Sequence, residues 1–333
     1  MIRMAWITSG YIPSPGRMAV IAGTTFTQLV RMKVFLFLGL FAVALLALSS
    51  FRLSAVLGPE TGGINELVLL KNSAYGAMRV FGLFFCVAAT ALIIPRDAED
   101  RILYTILCKP VPRIDYLMGK VLGVLALTLV AVLLMDAVMT LVLWMRTDTV
   151  VAEQIASLKG RYTLEEMQPY LDRIRLQGAT WNVQTGLGVM MCEFVVLSSL
   201  TLLMSCVTNG TIISALLTFM IYLAGLFQTQ ALSLWVGSGT DGLSWWEVAG
   251  SRLFSLVFPN FQIYSVTDSA LNGRLIPLSL FGTLALITLG YFVFHMTLAA
   301  WLFRKEFYLE KYGRHHQCTL RLGRNRRTIY KIP

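Results

Sequence analysis

The sequence is 333 residues long, 56% hydrophobic and only 14% charged, with a formal net charge of +10. Soluble domains carry about 25% charged residues, so this composition excludes an ordinary water-soluble domain. The five cysteines form no Cys-x-x-Cys pair and no disulfide framework, and the basic balance comes without a zinc-finger spacing, a helix-turn-helix pattern or an RNA-binding aromatic signature, so it reads as a membrane-orientation signal and not as nucleic-acid binding.

A helix needs about 20 apolar residues to cross the hydrocarbon layer. Residues 18–33 precede the first such run and are amphipathic: Ala19, Ala22, Phe26, Leu29 and Val30 recur at helical spacing, followed by Arg31 and Lys33. The favoured reading is an interfacial elbow helix; the alternative is that this stretch extends the first span. That span is expected near 34–51, too far from the N-terminus for a secretory signal and therefore read as uncleaved. Gly58-Pro59 and Gly62-Gly63 mark turns in the connection that follows. The next spans are expected near 74–94 and 119–145. Arg79 lies inside the first of these, where it can snorkel outward.

Residues 146–185 are polar. Thr163 to Glu166 has capping-box spacing, and Met167, Tyr170, Leu171 and Ile174 share a helical face. Proline fits poorly inside a helix that starts at Thr163, so the helix begins either there or at Pro169, with Gly178 ending it. Spans near 186–206 and 211–236 follow. Residues 237–274 then turn apolar again, with Trp245, Trp246, Phe254 and Phe258 before Pro259. They read as a re-entrant or interfacial segment. The last span is expected near 275–303, and 304–333 forms a basic tail. The expected fold is thus an all-α integral membrane protein with six transmembrane helices.

Six spans place both termini on one side. If that side is the cytoplasm, the inner segments hold 18 of the 28 Lys and Arg but only six of the 18 Asp and Glu. The outer segments hold nine basic and ten acidic residues. This is the asymmetry of the positive-inside rule, and it indicates a multi-pass protein of the plasma (inner) membrane with cytoplasmic termini.

The inner connection from Pro95 to Lys120 begins with Asp97, Glu99 and Asp100, which suit a helix N-terminus. Ile102, Leu103, Ile106 and Leu107 give it an apolar face, and Lys109-Pro110-Val111-Pro112-Arg113 ends it. This stretch resembles the cytoplasmic loop of ABC exporter permeases of the second type, in the branch that includes copper-enzyme-maturation and gliding-motility permeases. Glu99, Arg101, Thr105, Leu107, Lys109, Pro110, Val111, Arg113, Gly119 and Lys120 fit that pattern; Asp97, Ile102, Cys108 and Pro112 depart from it. A second, weaker likeness runs through Pro259-Asn260 and from Asp268 to Gly273. The resemblance covers nearly the whole chain. It implies that 97–113 is a coupling helix docking on a separate ABC ATPase subunit. Asp97, Glu99, Arg101, Lys109, Pro110 and Arg113 would lie at that contact, Leu103 and Leu107 would pack there, and Gly119 and Lys120 would form the exit of the loop. It also implies a second permease copy or paralogue, and export as the direction of transport.

No Gly-x-x-x-x-Gly-Lys-Ser/Thr loop is present, since Gly119-Lys120 is followed by Val121. ATP and Mg are therefore expected on the partner, and no cofactor, catalytic residue or metal is assigned to this chain. His315, His316 and Cys318 lack a fourth ligand nearby. Asp136 and Glu193 are the intramembrane polar candidates. Asp136 either lines a pathway or is a hydrogen-bonded carboxyl fixing helix packing, and for Glu193 the packing role is favoured. His295 is read as a packing residue. Two rival classes stay open: an ion-coupled secondary transporter using Asp136 and Glu193, and a membrane-embedded enzyme, which would need a cluster of catalytic polar residues at one depth that the sequence does not show; within the family, a non-transporting membrane anchor of an assembly complex is a further alternative.

Overall fold

The computed structural model describes residues 14–32, 39–40, 64–99, 112–159, 164–208, 210–236, 259–267 and 276–326. Every element among them is helical: α1 (Pro15–Arg31), α2 (Ile64–Glu99), α3 (Arg113–Leu158), α4 (Leu164–Leu176), α5 (Trp181–Val207), α6 (Thr211–Val236), a 3₁₀ segment (Phe261–Val266) and α7 (Leu278–Arg326). Five of these, α2, α3, α5, α6 and α7, are long and apolar enough to cross a membrane. Among the described residues the chain is thus all-helical, with helices of membrane type. The expected first span, 34–51, and most of the 237–274 segment lie outside the described residues.

The helices are longer than the apolar runs that announced them. α2 begins ten residues before the expected 74 and continues past 94 through Pro95 to Glu99. A proline removes one backbone donor, but packing holds this last turn: Ile93, Ile94 and Asp97 around it are buried. α3 has 46 residues where 119–145 was expected. At 1.5 Å per residue it measures about 69 Å, more than twice the roughly 30 Å hydrocarbon thickness. Hydropathy detects only the part that lipid solvates. α5 starts at Trp181 rather than 186, whereas α6 coincides with the expected 211–236. α7 does not stop at 303 but runs unbroken to Arg326, so most of the basic tail is helix. Pro169 sits inside α4 and does not begin it. Its lost donor is on an exposed turn, while Met167, Leu171 and Ile174 are buried and anchor the helix; Tyr170 of the expected face is exposed.

α5 is the centre of the bundle and touches each of the other four long apolar helices. Its Phe194, Val196, Leu197, Leu200 and Leu202 are fully or almost fully buried. Lipid tails are as apolar as leucine, so such an assembly holds by close packing and interhelical polar contacts more than by water exclusion.

α1 climbs α3. Arg17 meets Asp115, Ile21 and Met18 meet Gly119, and Ala22 and Thr25 meet Gly123. Positions rise together on both helices, so α1 runs alongside α3 in the same direction and does not lie across its end. The packing face is Met18, Ile21, Ala22, Thr25 and Leu29; Ala19, expected on it, is exposed. A Cβ on Gly119 would stand 2.7 Å from Ile21 Cβ, and one on Gly123 would stand 2.7 Å from the Ala22 carbonyl oxygen. Gly119-x-x-x-Gly123 is therefore a small-residue groove that lets two helix backbones meet.

Candidate functional site

Four groups of buried polar side chains tie the helices together. At the end where α2 meets α3, Asp97 is fully buried. Its Oδ2 accepts from the Tyr116 hydroxyl at 2.5 Å and from Lys120 Nζ at 2.7 Å. Lys120 Nζ also lies 5.7 Å from the Tyr116 ring centroid. One turn away, Asp115 Oδ2 pairs with Arg17 Nε at 3.0 Å and accepts from the Ser14 backbone N–H at 3.3 Å. Three helices thus converge on two buried carboxylates, and the connection from α2 to α3 starts and finishes on this clamp.

At the opposite end Arg146 of α3 pairs with buried Glu66 of α2. Lys71, almost fully buried, donates to Gln177 at 2.8 Å. Lys120 and Arg146 are separated by about 39 Å of helix, close to the roughly 40–45 Å of a bilayer with its headgroups. The two α2–α3 ion pairs therefore stand at the two ends of the long apolar stretch of α3. The burial of each charge is offset by its partner.

Between them lies a third group. Arg79 Nη2 and the Tyr222 hydroxyl both donate to Glu193 Oε1, each at 2.9 Å. This joins α2, α5 and α6. Arg79, expected to snorkel outward, instead turns to a carboxylate on the neighbouring span, the cheaper solution deep in an apolar medium. The 3₁₀ segment reaches the same level: the Phe261 ring lies 4.8 Å from that of Tyr222, and Pro259 and Phe261 lie against Gly225, which has no side chain to exclude them. Tyr264 and Thr288 share a hydrogen bond of 2.8 Å. The fourth group is Asp136, whose Oδ2 accepts from Gln184 Nε2 at 2.9 Å.

The expected site residues therefore separate. Asp97 and Lys120 come together with Tyr116, and Asp97 faces the protein's own interior. Gly119 serves the α1 contact. Arg113 begins α3 and is half-buried, and Glu99 ends α2. Arg101, Leu103, Leu107, Lys109 and Pro110 lie outside the described residues. Asp136 and Glu193 are both buried but on different partners. His295 Nδ1 lies 3.0 Å from Ser199 Oγ, an interhelical packing contact. Gln184, Tyr222 and Gly123 were not singled out in the sequence; of these, only Gly123 carried a local signal, its four-residue spacing from Gly119. No group of three His, Cys, Asp or Glu is placed to hold a metal among the described residues. A cavity of about 500 Å³ between α1, α2 and α3 is lined by apolar side chains, among them Phe26, Phe81, Phe85 and Met135.

What this arrangement does is mechanical: charges buried at both ends of the helix bundle and at its middle lock the long helices to one another, and one clamp closes around the connection from α2 to α3. No protein-family model matches the sequence, and no curated protein matches it significantly.

Proposed function

We propose that this chain is the membrane-spanning permease subunit of an ATP-driven ABC-type exporter whose ATPase is a separate polypeptide. The observation that carries the reading is the Asp97–Tyr116–Lys120 clamp. It fixes the last turn of α2 to the first turns of α3, so a force applied to residues 100–112 is delivered to two spans at once and not dissipated in a slack turn. The contact of Arg17 with Asp115 extends that rigid base to α1. With Asp97 turned inward, Glu99 and Asp100, the apolar face and the proline end of the 97–113 stretch give a partner both charge and grease to grip.

In this reading the clamp end is cytoplasmic, the 34–51 run is a sixth span, and both termini lie inside. The 3₁₀ segment, packed beside residues in the interior of α6 and α7, belongs to a chain that re-enters the bilayer between them. Two permease subunits, identical or paralogous, sit on two ATPases, and ATP-driven closure of the motors moves the connections and reorients the spans. Glu193 is engaged by Arg79 and Tyr222, which favours a packing role over proton carriage in the rival ion-coupled scheme.

The test is purification of the chain from its native membranes in mild detergent, with bound proteins identified by mass spectrometry. An ABC ATPase is expected at stoichiometric level. Leu103→Asp and Glu99→Lys are expected to release it while leaving the elution volume of the permease unchanged. Recovery of no ATPase with the wild-type chain overturns the permease reading; full retention by both variants overturns the coupling assignment.

A further inference from the structure

The seam between α1 and α3 is tight at Gly119 and Gly123. One helical turn beyond Gly123 it opens into the cavity of about 500 Å³, lined from α1, α2, α3 and the Gly39–Leu40 pair. Phe85 and Met135, 2% and 1% exposed, form its floor, whereas Leu40, Val130 and Leu134 are exposed and form its rim. The lining part of α3, Leu127 to Met135, lies about 10–22 Å along the helix from Lys120. That is inside the apolar stretch between Lys120 and Arg146, so the mouth opens where hydrocarbon surrounds the helices once they cross a membrane.

Every side chain lining the cavity is apolar, which excludes most occupants. Water needs two to four polar partners and leaves apolar cavities dry. Ions and headgroups find no ligand. An extended peptide would bring backbone groups that nothing satisfies. A helix is about 10–12 Å across, and the cavity has room for little more than one turn of it. An empty void of this size forfeits the dispersion contacts of its walls. A bare hydrocarbon chain makes those contacts, carries no polar group, and is the medium on which the mouth opens.

We propose that this cavity is a binding site for one acyl chain of a membrane phospholipid. The chain enters sideways between Leu40, Val130 and Leu134 and reaches Phe85 and Met135, while the headgroup stays outside. It fills the space between α1 and α3 beyond the glycine seam. The site requires only that the helices cross a bilayer; it is independent of the coupling mechanism, and the lipid need not be the cargo.

The experiment is photo-labelling of the full-length chain in phosphatidylcholine bilayers that contain a trace of phosphatidylcholine with a diazirine near the end of one acyl chain. Labelled residues are located by mass spectrometry. Lipid that merely surrounds the protein reaches exposed side chains such as Leu134 and, on α6, Ile212. Only a chain inside the cavity reaches Phe85 and Met135, and labelling of both is expected. A diazirine on the headgroup should label neither. Ala131→Phe, which fills the cavity from its wall, should abolish labelling of Phe85 and Met135 and leave that of Ile212. Ala137→Phe, exposed on α3 and outside the lining, should leave the whole pattern unchanged. Labelling confined to exposed residues in the unaltered chain, labelling of Phe85 or Met135 from the headgroup, or floor labelling that survives in Ala131→Phe overturns the proposal. If Ala131→Phe fails to fold, Val30→Phe fills the same cavity from α1, and floor labelling that survives in it overturns the proposal equally.

Discussion

Arg79 and Glu193 show how a single residue is decided by its partners across the bundle. Neither side chain alone is tolerable deep in an apolar medium, yet Glu193 is 2% exposed and Arg79 23%. Removal of one partner strands the other, at a cost of about 3–5 kcal/mol for a buried pair. Removal of both leaves packing to repair and the Tyr222 hydroxyl without its Glu193 acceptor, a smaller cost. Arg79→Met and Glu193→Leu are therefore each expected to lower the unfolding temperature strongly, and the double variant to recover most of the loss. A thermal-unfolding double-mutant cycle in mild detergent measures this; additive losses would mean that the two groups act separately. Tyr222→Phe removes one donor to the same oxygen and should cost less than either single charge removal, about 1 kcal/mol.

At the scale of elements, the seam between α1 and α3 depends on the absence of side chains at two positions. Gly123 faces backbone at the Ala22 carbonyl, which cannot rotate away, so Gly123→Val should force the helices apart at a cost of about 1–3 kcal/mol. Hydrogen exchange should then rise across residues 15–31 while α5, which holds the core, stays protected. Gly76→Ala, where an added Cβ meets nothing within 4 Å, is the matched control and should leave exchange unchanged. If Gly123→Val leaves α1 protected, the helix is held by something other than this groove. The same elements explain what was legible beforehand. α6 coincided with its apolar run because Gly210 bounds it and it carries no charged residue. α3 was under-measured because its first and last turns are polar and leave the lipid while staying helical. On the α1 face Ala19 is exposed, while Met18 and Ile21, outside the expected stripe, pack on Gly119, because a glycine on α3 leaves room there for a neighbouring helix. Asp97, Tyr116 and Lys120 were all visible in the 95–120 stretch, but acidic residues at a helix end and a lysine beyond a proline do not announce that the chain doubles back and buries them together. Gln184 and Tyr222 gave no warning, because a partner on another helix leaves no local pattern.

The molecule as a whole has two distinct ends. One holds the Asp97–Lys120 clamp, the other the Glu66–Arg146 pair and α4. In the proposed six-span reading the segments on the clamp side hold 18 of the 28 basic residues, and positively charged connections stay in the cytoplasm. In a variant lacking the five native cysteines, Asp172→Cys on α4 should react with a membrane-impermeant maleimide in intact cells, because its side chain is 62% exposed at the far end. Arg96→Cys, exposed beside the clamp, should react only after the cells are permeabilised. The reverse pattern would put residues 97–113 on the cell exterior, out of reach of any ATP-hydrolysing subunit, and the proposed coupling would fall with it. The expected pattern leaves the clamp where a cytoplasmic motor can load it.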